Sequence, residues 1–205
     1  MLFKLISFIS SLFVLSNSQN LNGDIYSISN PNNIDNYKFS TKFNDISQKA
    51  EYFDIYSPII TSKYAEVYWT MMEPVKLPDN IVNRFANKTM AIIGYETDQV
   101  FKKDSGDISV PITWSYNHHY EAYLQGANTK MIKVNYSKND WGIYNHGSKE
   151  LWKIIPNNKN IPTSQFFSEG NGGESRGSFH GYPKNYAQLI KSPELFRIQP
   201  MQIDT

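Results

Sequence analysis

Apolar and polar side chains alternate most regularly just past the middle of the chain. Val110, Ile112, Trp114 and Tyr116 share one face of an extended backbone, and Ser109, Pro111, Thr113 and Ser115 share the other. A period of two is the pattern of a half-buried β-strand, and this one runs on to the adjacent pair His118 and His119. Residues 95–101 read as a second strand, joined to the first by the polar, glycine-containing run 102–107, so the two form a hairpin.

Other segments repeat the theme. Residues 51–60 read as a strand closed by Pro58. In residues 64–72, Ala65, Val67, Trp69 and Met71 fall on one face, with Glu66 and Thr70 on the other. Pro74 and Pro78 break the chain, and Asp79 is placed to cap a short helix over residues 80–86 in which Ile81 and Phe85 lie one turn apart. Residues 90–95 return to strand, with Gly94 marking a bulge or a close backbone approach. Further strands are expected at 131–136 and 151–155, a short helix or strand at 186–190, and a last strand at 196–203. Residues 168–181 read as a long glycine-rich loop whose one apolar residue is Phe179.

Many short strands, a single small helix and no internal repeat predict a mainly β fold, an antiparallel sandwich or jelly-roll-like single domain with one or two short helices. That domain is expected over residues 49–205. Residues 19–48, crowded with Asn, Ser and Asp around isolated apolar positions, read as a polar leader, partly disordered.

The amino terminus breaks the β pattern. Lys4, an apolar core over residues 5–15 and small residues at Ser16 and Ser18 form a secretory signal with cleavage expected before Gln19. A retained anchor is the rival reading, although the apolar core is shorter than the ~20 residues that span a bilayer. Removal of residues 1–18 takes away Lys4 and no acid, so a formal charge of +1 falls to zero. A neutral chain has no electrostatic footprint for nucleic acid, and no membrane contact is expected after cleavage.

With no cysteine in 205 residues, disulfides and thiolate metal sites are excluded. A metal site here has to use imidazole, with Asp, Glu, Tyr or Met beside it, a set suited to copper or zinc. His118, His119, His146 and His180 are the four histidines, and the last two sit beside glycines that let the backbone aim a ring. Neighbouring side chains on a strand point to opposite faces, so His118 and His119 reach one ion only if a bulge or the strand end rotates one of them. The His118-His119 dipeptide resembles the one that copper monooxygenases of peptides and catecholamines carry on a β-sandwich. That resemblance covers the dipeptide alone.

The glycine-rich loop brings Glu169, Glu174 and Arg176 near His180 in sequence. Glu169 or Glu174 is the candidate acid/base, and Arg176 a candidate ligand contact. Gly173, Ser175 and Gly177 match the nucleophile-elbow pattern G-x-S-x-G, yet no apolar strand leads into it, so the hydrolase reading is disfavoured. Asn87 and Asn135 head glycosylation sequons.

Two functions follow. One is a secreted protein with a histidine-centred copper or zinc site. The other is a non-catalytic carbohydrate-binding or cell-surface module, its histidines part of the scaffold, using Trp141, expected to be exposed in its turn, together with Arg176.

Overall fold

A computed structural model describes residues 2–10, 26–27, 38–39, 50–104, 107–135, 150–155, 160–173, 180–183 and 185–205. Among them the strands are β1 (Leu2–Ser10), β2 (Tyr26–Ser27), β3 (Lys38–Phe39), β4 (Ala50–Tyr56), β5 (Val67–Trp69), β6 (Val75–Lys76), β7 (Thr89–Phe101) and β8 (Ile108–Ser109). They continue with β9 (Ser115–Gly126), β10 (Lys130–Asn135), β11 (Glu150–Ile155), β12 (Ser164–Glu169), β13 (His180–Gly181), β14 (Gln188–Lys191) and β15 (Pro193–Asp204). One helix among the described residues, α1 (Asp79–Phe85), lies between β6 and β7. No helix among the described residues is long and apolar enough to cross a membrane.

Two antiparallel sheets share one core. The first has the order β13-β7-β1-β4, with β8 and β14 also on β7; the second has the order β12-β9-β15-β5, with β6 also on β15. Two-stranded ladders β2-β3 and β10-β11 accompany them. Met90, Ile92 and Tyr95 of the first sheet meet Tyr120, Ala122, Leu124, Phe167, Phe196 and Ile198 of the second. Tyr95 packs edge-on to Phe167 across the gap at 4.7 Å between ring centres. Ile81 and Phe85, i and i+4 on α1, are buried against the same cluster, as their spacing predicts.

The mainly β, sandwich-like class is therefore as expected, and so is the β7-β8 hairpin. In β7 the register against β1 shifts so that Ile93 has no Cα partner, a bulge beside Gly94 where the sequence pointed to one.

Several local expectations are corrected. The strand does not begin at Ser109: residues 111–114 form a turn, closed by Trp114 N–H and Ser115 N–H donating to the Pro111 carbonyl, and β9 starts at Ser115. Proline cannot donate to a ladder, so Pro111 ends the pairing that the alternation implied. Trp114 is consequently exposed rather than packed. In residues 64–72 only Val67–Trp69 pair, and it is Tyr68, between the two expected inward residues, that packs on the core. Asp79 does not cap α1: no side chain caps it, and the Asp79 carboxylate instead accepts from Lys76 Nζ at 2.6 Å. The supposed loop at 168–181 is strand at both ends, because Phe167 and Ser168 belong to β12 and His180 to β13.

Leu2–Ser10, within the segment expected to be a removable leader, is β1, the strand that joins β4 to β7.

Candidate functional site

The strand β9 positions the histidine pair. Met201 of β15 is the Cα partner of His119 and Gln202 that of Asn117, so His118 is the extra residue of a β-bulge. A bulge places two consecutive side chains on one side of the sheet, the rotation that the sequence required. The His118 and His119 rings stack at 3.9 Å with 24° between their planes, and Tyr116 extends the row at 5.2 Å from His118. His118 Nδ1 is buried with no hydrogen-bond partner among the described residues.

The glycine-rich segment runs alongside. Gly173 N–H donates to the Asn117 carbonyl at 2.8 Å, and Gly172 and Gly173 take φ of +81° and +80°. A Cβ on residue 172 would meet the Tyr116 hydroxyl and lie 3.1 Å from the His118 carbonyl oxygen. Gly172→Ala is therefore expected to displace the Tyr116 ring and to lower stability by about 1–3 kcal/mol, from left-handed strain and overpacking together. Urea unfolding checks the cost, and near-ultraviolet circular dichroism checks the ring.

Of the three described histidines, only His118 and His119 come together. His180 lies in the other sheet, the Cα partner of Tyr95 and stacked on its ring at 4.7 Å and 11°. His146 lies outside the described residues, as do Trp141, Glu174 and Arg176. No group of three or more His, Cys, Asp or Glu able to hold a metal forms among the described residues. Glu169 ends β12, and its Oε1 accepts the Asn171 N–H at 2.5 Å, so this carboxylate ties the turn that leads to Gly172. Asn87 is exposed just beyond α1 with φ of +59°, and its N–H donates to Ser192 Oγ at 2.9 Å. Asn135 ends β10, and its side chain is outside the described residues.

Further along β9, the Tyr123 hydroxyl donates to Glu121 Oε2 at 2.9 Å. Burial, and then the Glu121 charge and this hydrogen bond, hold the phenol well above its ordinary value of 10.0. A raised folded-state value contributes stability in full below pH 10 and loses it as pH rises toward that value, because the unfolded phenol ionises first. Between pH 10 and 12 the wild type is thus expected to lose stability more steeply than Tyr123→Phe, measured by urea midpoints across that range.

A second feature was not visible in the sequence pattern. A cleft of about 400 Å³ opens between the two sheets, and its lining includes Ile60, Ser62, Phe101, Trp114, Ser115 and Asp204. Trp114 is 60% exposed. Its turn is pinned from the end of the chain, where Thr205 N–H donates to the Trp114 carbonyl and Thr205 Oγ1 to the Thr113 carbonyl. Ser62 Oγ donates to Asp204 Oδ2 at 3.2 Å across the opening. The signal that could have found this site is Pro111, which turns an apparent core tryptophan into a surface one.

Compared with protein-family models, curated proteins and solved structures, the chain matches none.

Proposed function

We propose that this protein is a non-catalytic binding module that takes a small ligand in the cleft between its sheets, with Trp114 as the contact platform. The observation that carries this reading is the placement of a largely exposed indole at the mouth of a cleft of about 400 Å³. Ligand pockets of this size are lined mainly by apolar and aromatic groups with a few polar ones to fix orientation, and Phe101, Ile60, Ser62, Ser115 and Asp204 supply that mixture. This moves the aromatic platform from Trp141 to Trp114. The apolar amino terminus and the exposed Asn87 sequon support an exported location for such a module.

The test is a panel of small sugars, phenol, 2-phenylethylamine and phenylacetate, read by tryptophan fluorescence and thermal midpoint. At least one compound is expected to bind saturably, with Kd raised tenfold or more in Trp114→Ala. Because Trp114 is a surface residue, that variant is expected to fold normally. A panel without saturable binding rules the reading out.

The bulge favours a second reading. His118 and His119 on one face, with the Met201 thioether on the residue paired to His119, make a nitrogen and sulfur set that suits copper better than zinc. Parallel rings carry their in-plane lone pairs side by side, so holding one ion between them requires one imidazole to turn.

A further inference from the structure

Behind the cleft lies a group of buried polar side chains whose hydrogen bonds are incomplete. Gln202 of β15 has no exposed surface, and neither Oε1 nor Nε2 finds a partner among the described residues. Ser115, 5% exposed and part of the cleft lining, leaves its Oγ unpartnered. Gln99 of β7 donates from Nε2 to the Ser115 carbonyl at 3.1 Å and leaves Oε1 unused. Asp204 is the Cα partner of Ser115, and Gln202 lies two residues back on β15. Positions two apart on a strand share a face about 6.7 Å apart, so Gln202 continues the Asp204 side of the cleft one step deeper.

Buried amides and hydroxyls nearly always find partners, and the chemistry left open here is specific. Gln202 Nε2 needs an acceptor. Gln202 Oε1, Gln99 Oε1 and the remaining Asp204 lone pairs need donors. Ser115 Oγ serves either way. An ammonium group only donates and a carboxylate only accepts, so each answers half of these atoms. A hydroxyl answers both. The six lining residues named above include no lysine, arginine or histidine to attract an anion. Trp114 meanwhile presents a flat apolar face beside the polar floor, suited to the C–H face of a sugar ring.

Resting on the cleft reading above, we propose that the ligand is a neutral carbohydrate. One ring stacks on Trp114, and its hydroxyls bond to Ser115 and Asp204 directly and to the Gln99 and Gln202 amides directly or through a bridging water. A volume of about 400 Å³ gives room for one or two sugar rings.

The experiment uses the full chain with glucose, galactose, mannose, xylose and N-acetylglucosamine and their β-1,4-linked disaccharides, followed by calorimetry and tryptophan fluorescence. Phenol, 2-phenylethylamine and phenylacetate are the comparators. At least one sugar is expected to bind, with Kd raised tenfold or more in Trp114→Ala and in Gln202→Met. Gln202→Met removes the open amide at nearly constant volume, so its thermal midpoint is expected to be unchanged or higher. That separates loss of ligand from loss of fold. A fall in the Gln202→Met midpoint means that the amide already has a partner in the protein, and it overturns the assignment. So does sugar binding that neither variant weakens. Should phenol or the amine bind through Trp114 while every sugar fails, the cleft stands as a site and the carbohydrate assignment falls. If nothing in the panel binds, both fall together.

Discussion

A chain that begins at Gln19 is expected to lose most or all of its cooperative unfolding transition. β1 contributes Cα pairs from Leu2 to Ser10 on the β7 side and from Lys4 to Ser10 on the β4 side, and among the described residues β4 has no other neighbour in its sheet. Without it, β4 is cut off from β7, although its residues Phe53 and Ile55 belong to the shared core. The residues of β7 from Ala91 to Val100 would then present an open edge. At roughly 1 kcal/mol net per backbone hydrogen bond, the loss is on the order of 5 kcal/mol or more, as large as the whole stability of many domains. Hydrogen exchange is the direct measurement: amides of β7 that are protected in the full chain should exchange quickly in the 19–205 chain. Adding a peptide of residues 2–10 should restore part of that protection by strand addition. Equal midpoints and equal β7 protection in the two chains would show that β1 carries no structural weight. The result bears on export as well, because cleavage before Gln19 takes β1 away. A chain cleaved there would have to close β4 directly on β7 or leave that edge to another strand.

The readability of this fold followed the physics of each segment. The last strand, expected at 196–203, was legible as a strand, while Tyr120, Ala122 and Leu124 carry β9 beyond the histidine pair at which the expected strand stopped. Ile81 and Phe85 were legible from their helical spacing. Residues 164–169 were missed because the expected loop was defined by its glycines, which obscured the strand just before them. The amino terminus fits two readings at once, because a short apolar run that a signal peptidase could process has the same composition as an apolar β-strand, and composition does not distinguish the two. At the candidate sites the sequence identified the condition under which His118 and His119 share a face, a bulge, but not which residue of β9 would be left unpaired. That depends on register with β15, more than 80 residues away, and no local pattern encodes it. The cleft is likewise a product of pairing, since Ser115 and Asp204 become neighbours only when β9 and β15 align.

Deleting His118 altogether is expected to leave the fold in place and, on the copper reading, to weaken Cu(I) binding sharply. The register of β9 on β15 already omits this residue: Asn117 stays opposite Gln202 and His119 opposite Met201 whether or not His118 is present. Its removal turns the bulge into a regular antiparallel ladder, with Asn117 directed inward, His119 outward and Tyr120 inward, matching the burial seen now for Asn117 and Tyr120. The thermal midpoint should therefore stay within a few degrees. Deleting Asn117 or Tyr120 instead also closes the bulge, but it moves His118 or His119 into the buried place that Asn117 or Tyr120 now fills, and those two chains are expected to be clearly less stable than the His118 deletion. On the copper reading, the deletion takes away one of two imidazoles and the convergence of the pair. Affinity for Cu(I), measured by competition with a chromophoric chelator, should fall by at least about 100-fold, more than the loss of a supporting contact around a metal produces. His118→Ala should lower affinity similarly while keeping the bulge, and Met201→Leu should weaken Cu(I) more than Zn(II), since a thioether favours the softer ion. Full copper affinity in the deletion chain would take the histidine pair out of the site, and a wild type that binds neither ion would leave the bulge as a way of turning β9 past Gly172.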